Sequence, residues 1–203
     1  IDEGLVGSEM CIRDRAEDIH EFLEHYGSMV ILGHSMGGKA AMVLSIKAPQ
    51  LVEKLVVADI APVSYPHDNT QYVRAMKNVQ LDNIVTRGDA LMQLAETVPE
   101  PELQNFFAQS LDLKNKRWKL NLDVLEREME KIVSFPRLSG QYDKASLFVS
   151  GALSKYVQIK DRPVIKKLFP KAKFSTIENA GHWLHAEKPR EFEAVVRTFL
   201  NNI

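Results

Sequence analysis

The feature that most restricts this chain is Gly33-His34-Ser35-Met36-Gly37-Gly38, a G-x-S-x-G pattern between two different kinds of segment. Before it, Met29-Val30-Ile31-Leu32 is a short apolar run suited to a strand buried on both faces. After it, residues 39–48 read as a helix halted by Pro49. With glycine near 7% of residues and serine similar, chance would give such a match in roughly one chain of this length in fifteen. The strand–turn–helix setting is what makes the match informative. So tight a turn forces the serine into a strained backbone conformation, and a side chain at Gly33 or Gly37 is expected to collide with the neighbouring strand or helix.

The remaining segments fit the same architecture. Ala16, Ile19, Phe22, Leu23 and Tyr26 share one face of an expected helix over 16–26, ended by Gly27. Leu55-Val56-Val57-Ala58 is a second buried strand, ending at Asp59. Leu147-Phe148-Val149, closed by Gly151, and the segment 174–177 are two more, with a helix between them that ends near Phe169. Residues 189–200 close the chain as a helix with Phe192, Val195, Val196, Phe199 and Leu200 on one stripe. Over 62–142 strand signal is weak, and four apolar clusters at helical spacing follow one another. They are Tyr72, Val73, Met76 and Val79; Leu91, Leu94, Ala95 and Val98; Leu103, Phe106 and Phe107; and Leu125, Met129 and Ile132. That stretch is expected to be a helical insertion. Strands alternating with helices predict a mainly parallel sheet covered on both faces, with its chemistry at the carboxyl ends of the strands.

Composition narrows the function classes. The 203 residues suffice for one domain with a core, and 45% are hydrophobic. Twenty-six basic residues against twenty-seven acidic ones leave a net charge of −1, with no basic stripe for nucleic acid. No apolar run approaches the roughly 18 residues of a membrane span. The one cysteine, Cys11, excludes an internal disulfide framework and a multi-cysteine metal site, which makes a reducing, cytoplasmic setting the default. Residues 1–15 show no helical or strand period, no signal-peptide layout and no helix cap. The stretch from Leu5 to Arg15 resembles translated sequencing-adaptor read-through; the other reading is a disordered native leader. Either way residues 1–15 are set aside from the fold.

The turn points to nucleophilic catalysis. Ser35 projects its hydroxyl at the start of a helix, whose N-terminus favours developing negative charge. The Met36 N–H is placed to donate to an oxyanion. A serine hydroxyl needs a base to take its proton. Of the six histidines, His20 and His25 lie on or beside the first helix, His67 opens the insertion, and His34 is inside the turn and points away from Ser35. His182, in Asn179-Ala180-Gly181-His182-Trp183, follows the last strand at the catalytic end of the sheet, and His185 reads as a capping or surface residue. The third member should be a carboxylate that orients the imidazole, in the chain order serine, acid, histidine. The loop at 150–156, where an acid usually sits, has none; Asp161 lies too deep in the next helix and Asp143 precedes its strand. Asp59 ends a strand on the catalytic side and is the choice, against a plain capping role. His34 and Trp183 are candidate substrate contacts, with packing as the other reading for Trp183. Lys39 reads as a solvated or structural lysine. No metal or organic cofactor is called for.

Gly33 to Ala40, Asp59-Ile60-Ala61-Pro62 and Gly181-His182-Trp183-Leu184-His185-Ala186-Glu187-Lys188-Pro189 together resemble the YbfF-like esterases. The likeness runs from Ala16 to the end. It implies an α/β-hydrolase fold with a small helical cap and an acid at the Asp59 position. It also implies hydrolysis of small-molecule carboxylic esters or acyl thioesters; the charge balance and the lack of a long apolar run argue for no nucleic-acid and no membrane partner. Family members begin with further strands, one followed by a His-Gly loop that supplies a second oxyanion donor. This chain shows no such segment, so about 60 to 70 upstream residues are expected to be missing. The helical insertion would cap the pocket and set acyl specificity. Two rival readings keep the sequence but change the function: a carbon–carbon bond hydrolase or lyase on the same triad, and an inactive fragment or binding module. Acyl length and oligomeric state leave no mark in the sequence.

Overall fold

The computed structural model describes residues 12–66 and 69–201. The first eleven residues of the expected leader, Cys11 among them, and His67 lie outside the described residues. Helix α1 (Ile12–Tyr26) begins four residues before the expected start, so Ile12 to Arg15 belong to the fold. The earlier start explains its face. The buried stripe runs Ile12, Ala16, Leu23 with Ile19 packed beside it, at helical spacing. Phe22 and Tyr26 fall one step round the helix, exposed, their rings stacked 4.5 Å apart.

Strand β1 (Met29–His34) leads into α2 (Met36–Lys47), and β2 (Val52–Ala58) follows. Helices α3 (Thr70–Asn78), α4 (Arg87–Ala95) and α5 (Pro101–Gln109) come next. A short hairpin with two-residue strands, β3 (Leu111–Asp112) and β4 (Arg117–Trp118), precedes α6 (Leu122–Val133). Then come β5 (Ser146–Gly151), α7 (Arg162–Leu168), β6 (Ala172–Ile177), the one-turn α8 (Leu184–Glu187) and α9 (Pro189–Asn201).

Among the described residues β1, β2, β5 and β6 form one parallel sheet in that order. Period-two alternation covers both faces. Leu55, Val57 and Phe148 point into a core shared with α1, α2 and α7. Val56, Ala58, Leu147 and Val149 point into a second core with Leu184 and Phe199 from α8 and α9. β1 departs from the expectation of burial on both faces: Val30 is 40% and Leu32 47% exposed. Among the described residues it is an edge strand, as β6 is at the other side of the sheet, with β2 as its one neighbour.

The chain divides into two compact units. Among the described residues the smaller covers Pro66–Val133, closed around Val73, Met76, Ile84, Leu94, Val98 and Leu111. The larger holds the parallel sheet. The smaller unit is narrower than the 62–142 insertion expected from the sequence. Tyr142 is fully buried in the core of the larger unit, its hydroxyl donating to the Val52 carbonyl at 3.1 Å, and Tyr65, Phe135 and Leu138 pack against the same core. Among the described residues no helix is long and apolar enough to cross a membrane.

The sheet register fixes where the loops leave. His34 pairs with Ala58, and Ala58 with Val149. The ladder then continues one residue beyond the strands: Ser35 N donates to Ala58 O at 3.0 Å, Asp59 N to Val149 O at 2.8 Å, and Ala152 N to Ile177 O at 3.0 Å. Ser35, Asp59 and the loop after β5 therefore start at the carboxyl end of the sheet.

Candidate active site

Four non-glycine residues with positive φ occur among the described residues: Ser35, Asp59, Lys116 and Asn179. Three of them follow the carboxyl ends of β1, β2 and β6, so strain is concentrated at that end of the sheet. Ser35, at φ 53 and ψ −123, occupies the position before α2. Gly33 makes this turn possible, since a Cβ there would sit 2.4 Å from the Gly37 carbonyl oxygen. The sequence assigned a similar constraint to Gly37, and the structure moves it one residue on. A Cβ at Gly37 meets no atom within 4 Å, whereas one at Gly38 would lie 2.7 Å from Ile60 Cγ2. Helix α2 crosses β1 and β2 at Gly38, which is where the close approach falls.

The structure brings Ser35, Asp59 and His182 together. His182 Nε2 lies 3.1 Å from Ser35 Oγ, and His182 Nδ1 lies 2.7 Å from Asp59 Oδ2. The Asp59 side chain has no solvent exposure and that of His182 has 21%. A buried carboxylate needs donors, and among the described residues Asp59 has three. Gly151 N donates to Oδ1 at 3.1 Å, while His182 Nδ1 and the Ser154 hydroxyl both donate to Oδ2. This arrangement can pass a proton from the Ser35 hydroxyl to Nε2 while the carboxylate holds the opposite nitrogen. Met36 is the first residue of α2, so its N–H is one of the free donors of that helix start.

Backbone contacts fix the loop that carries His182. Gly151 is required, because a Cβ there would lie 2.2 Å from the Gly181 carbonyl oxygen. Glu187 in α8 accepts from Gly181 N at 2.8 Å and from Trp183 N at 3.1 Å, spanning the histidine from both sides.

The other sequence candidates, His34 and Trp183, lie beside the His182 ring. His34 Nε2 lies 2.8 Å from the His182 carbonyl oxygen, and burial lowers the His34 pKa to about 4. The Trp183 ring is partly buried, 5.5 Å from that of His34 and 5.8 Å from that of His182. His185 is not a surface residue: its ring meets His34 edge-on at 4.6 Å, and its Nδ1 is buried without a hydrogen-bond partner among the described residues. Lys39 is not solvated. It is 2% exposed, donates to Ser134 O at 2.8 Å and lies 4.8 Å over the Tyr65 ring; burial lowers its pKa to about 8.

Sequence reasoning passed over the loop after β5 because it lacks a carboxylate. That loop nevertheless serves the one on β2, through Gly151 N and Ser154. Its Tyr156 ring lies 4.2 Å from the His182 ring. Tyr65 holds Tyr156 in turn, donating to its carbonyl at 2.5 Å and accepting from Ala61 N at 2.9 Å. The usable signal was positional: an acid displaced to β2 still faces the end of β5, so hydroxyl and amide donors there become candidates.

The sequence matches the alpha/beta hydrolase family over residues 7–195. The sn-1-specific diacylglycerol lipase ABHD11 of Danio rerio is 38% identical over 184 residues, which cover 87% of this chain and 58% of that protein. Esterase YbfF of Escherichia coli (strain K12) is 33% identical over 192 residues, covering 92% of this chain and 74% of that protein. The solved structure of a marine microorganism esterase superposes with a TM-score of 0.89 at 35% identity, over 95% of this chain and 78% of that one. The chain thus spans less than two thirds of the length of the lipase relative.

Proposed function

The chain belongs to the alpha/beta hydrolase family, and from that premise we propose that it cleaves carboxylic esters or acyl thioesters through an acyl-enzyme on Ser35. The observation that carries this reading is the continuous contact from Ser35 Oγ to His182 Nε2 and from His182 Nδ1 to Asp59. Relatives named as a lipase and an esterase support an ester as substrate.

In this reading His182 Nε2 takes the Ser35 proton as Oγ attacks the acyl carbonyl. The tetrahedral oxyanion forms beside the Met36 N–H at the start of α2. Asp59 accepts from Nδ1–H and stabilises the imidazolium. The carbonyl re-forms, the bond to the alcohol or thiol breaks, and the leaving group takes the proton from Nε2. Water, deprotonated by the same nitrogen, then attacks the acyl-enzyme and releases the acid and free Ser35. The lone cysteine supports a reducing, cytoplasmic setting.

Stopped-flow hydrolysis of p-nitrophenyl butyrate tests the reading. It predicts a burst of p-nitrophenolate no larger than the enzyme concentration, followed by slower turnover, with both phases absent in Ser35→Ala. Turnover retained by Ser35→Ala would remove the proposal.

A further inference from the structure

We propose that His34 is a positioning residue for the general base: its imidazole donates from Nε2–H to the main-chain carbonyl of His182 and thereby fixes the origin from which that ring reaches Ser35. This rests on the reading of Ser35, Asp59 and His182 as a triad.

A carbonyl oxygen only accepts, so at 2.8 Å the His34 Nε2 must carry the hydrogen. Burial holds the His34 pKa near 4, so the ring stays neutral above that, and the acceptor fixes its tautomer. His34 is the last residue of β1, paired with Ala58 and directly before Ser35. Nucleophile and loop anchor therefore come from adjacent residues of one rigid strand end.

The contacts around His182 divide into two sets. Asp59 at Nδ1 and the Tyr156 ring act on the imidazole. Glu187 and His34 act on the backbone. Glu187 accepts from the amides of Gly181 and Trp183, and His34 donates to the carbonyl of His182 between them. With one backbone group held on each of the residues 181, 182 and 183, the side-chain torsions of His182 are the main freedom left to set the 3.1 Å approach to Ser35. A misplacement of about 1 Å at such a distance can cost about 100-fold in rate.

The neutrality of His34 has a second consequence. Its ring lies 4.6 Å from that of His182 and 4.6 Å from that of His185, and Asp59 acts on it at longer range. A cationic His34 would oppose the imidazolium that His182 becomes during the reaction. A neutral one provides the hydrogen bond without that repulsion.

The test compares His34→Leu with His34→Gln in the full chain. Leucine fills similar volume without a donor, whereas the glutamine amide nitrogen reaches about as far as Nε2. Ester kinetics and ring-nitrogen NMR of labelled histidine are read together. The proposal predicts that His34→Leu lowers kcat about 10- to 100-fold with KM within about 2-fold. It also predicts that the His182 Nδ1–H signal shifts or broadens, and that His34→Gln recovers most of both. If His34→Leu does not fold, His34→Asn replaces it, since the shorter amide cannot reach the carbonyl, and the same losses are expected. A raised KM with kcat unchanged would make His34 a substrate contact instead. A glutamine variant as impaired as leucine would reduce its role to ring packing. Wild-type protein without ester turnover would sink the esterase reading, while the His182 signal would still report on the His34 contact.

Discussion

Asp59 shows how a single side chain is made fit for its place. Its carboxylate is removed from water, and hydrogen bonds from Gly151, Ser154 and His182 replace the lost solvation. Asp59→Asn keeps the shape but presents an amide to a nitrogen that must donate, which favours the wrong imidazole tautomer. We expect kcat to fall by about 10⁴-fold, while Asp143→Asn and Asp161→Asn stay within about 2-fold of wild type. Comparable losses in all three would contradict the assignment. Ser154→Ala removes one charge-assisted hydrogen bond and should lower kcat by about 10-fold, measured on the same ester. His34 adds a pH effect on stability. Its folded pKa of about 4 lies below the ordinary histidine value of 6.5, so between those values the unfolded chain binds the extra proton. Its contribution is therefore full above pH 6.5 and is lost as pH falls toward 4. Urea midpoints at pH 4.5 and 7 should differ less in His34→Leu than in wild type. An equal or larger difference would show that His34 does not titrate on unfolding.

At the scale of elements, the turn between β1 and α2 decides the most. Gly33→Ala places a methyl 2.4 Å from the Gly37 carbonyl oxygen, so the turn must open. Overpacking of this kind costs about 1–3 kcal/mol or more, and we expect a lowered melting temperature together with loss of activity. Gly37→Ala meets open space and should leave the melting temperature within a few degrees of wild type. If the two variants melt alike, the turn geometry described above is wrong. The turn was legible because glycine spacing and apolar run length act locally. The strands β1, β2, β5 and β6 were likewise legible from short apolar runs, and Asp59 from the carboxyl-end rule. What stayed hidden depends on contacts distant in sequence. Ser154 meets Asp59 across 95 residues, and His34 meets the His182 carbonyl across 148. Burial of Lys39 also depends on a distant partner, the Ser134 carbonyl. The start of α1 was missed because Ile12 packs against the distant core while its neighbours in sequence carry no period.

For the molecule as a whole, the parallel sheet turns one row of loops toward Ser35, Asp59 and His182 and, among the described residues, has two edges, β6 on one side and β1 on the other. Val30 and Leu32 stand exposed on β1, an apolar template for pairing with another chain. We expect the 203-residue chain to self-associate with rising concentration in sedimentation velocity, and Leu32→Lys to suppress it. A monodisperse monomer over the same range would show that the edge is protected. Edge pairing and the proposed chemistry are separable, since Ser35 and Asp59 follow the carboxyl ends of β1 and β2 and His182 lies in the loop after β6. The central claim is that Ser35 becomes covalently acylated with His182 as its base. Labelling the intact chain with a fluorophosphonate and mapping the adduct by peptide mass spectrometry tests it most directly. The account predicts one adduct per chain, on Ser35, formed far more slowly in His182→Ala and not at all in Ser35→Ala. An adduct on another residue, or labelling of Ser35→Ala at the wild-type rate, would contradict it.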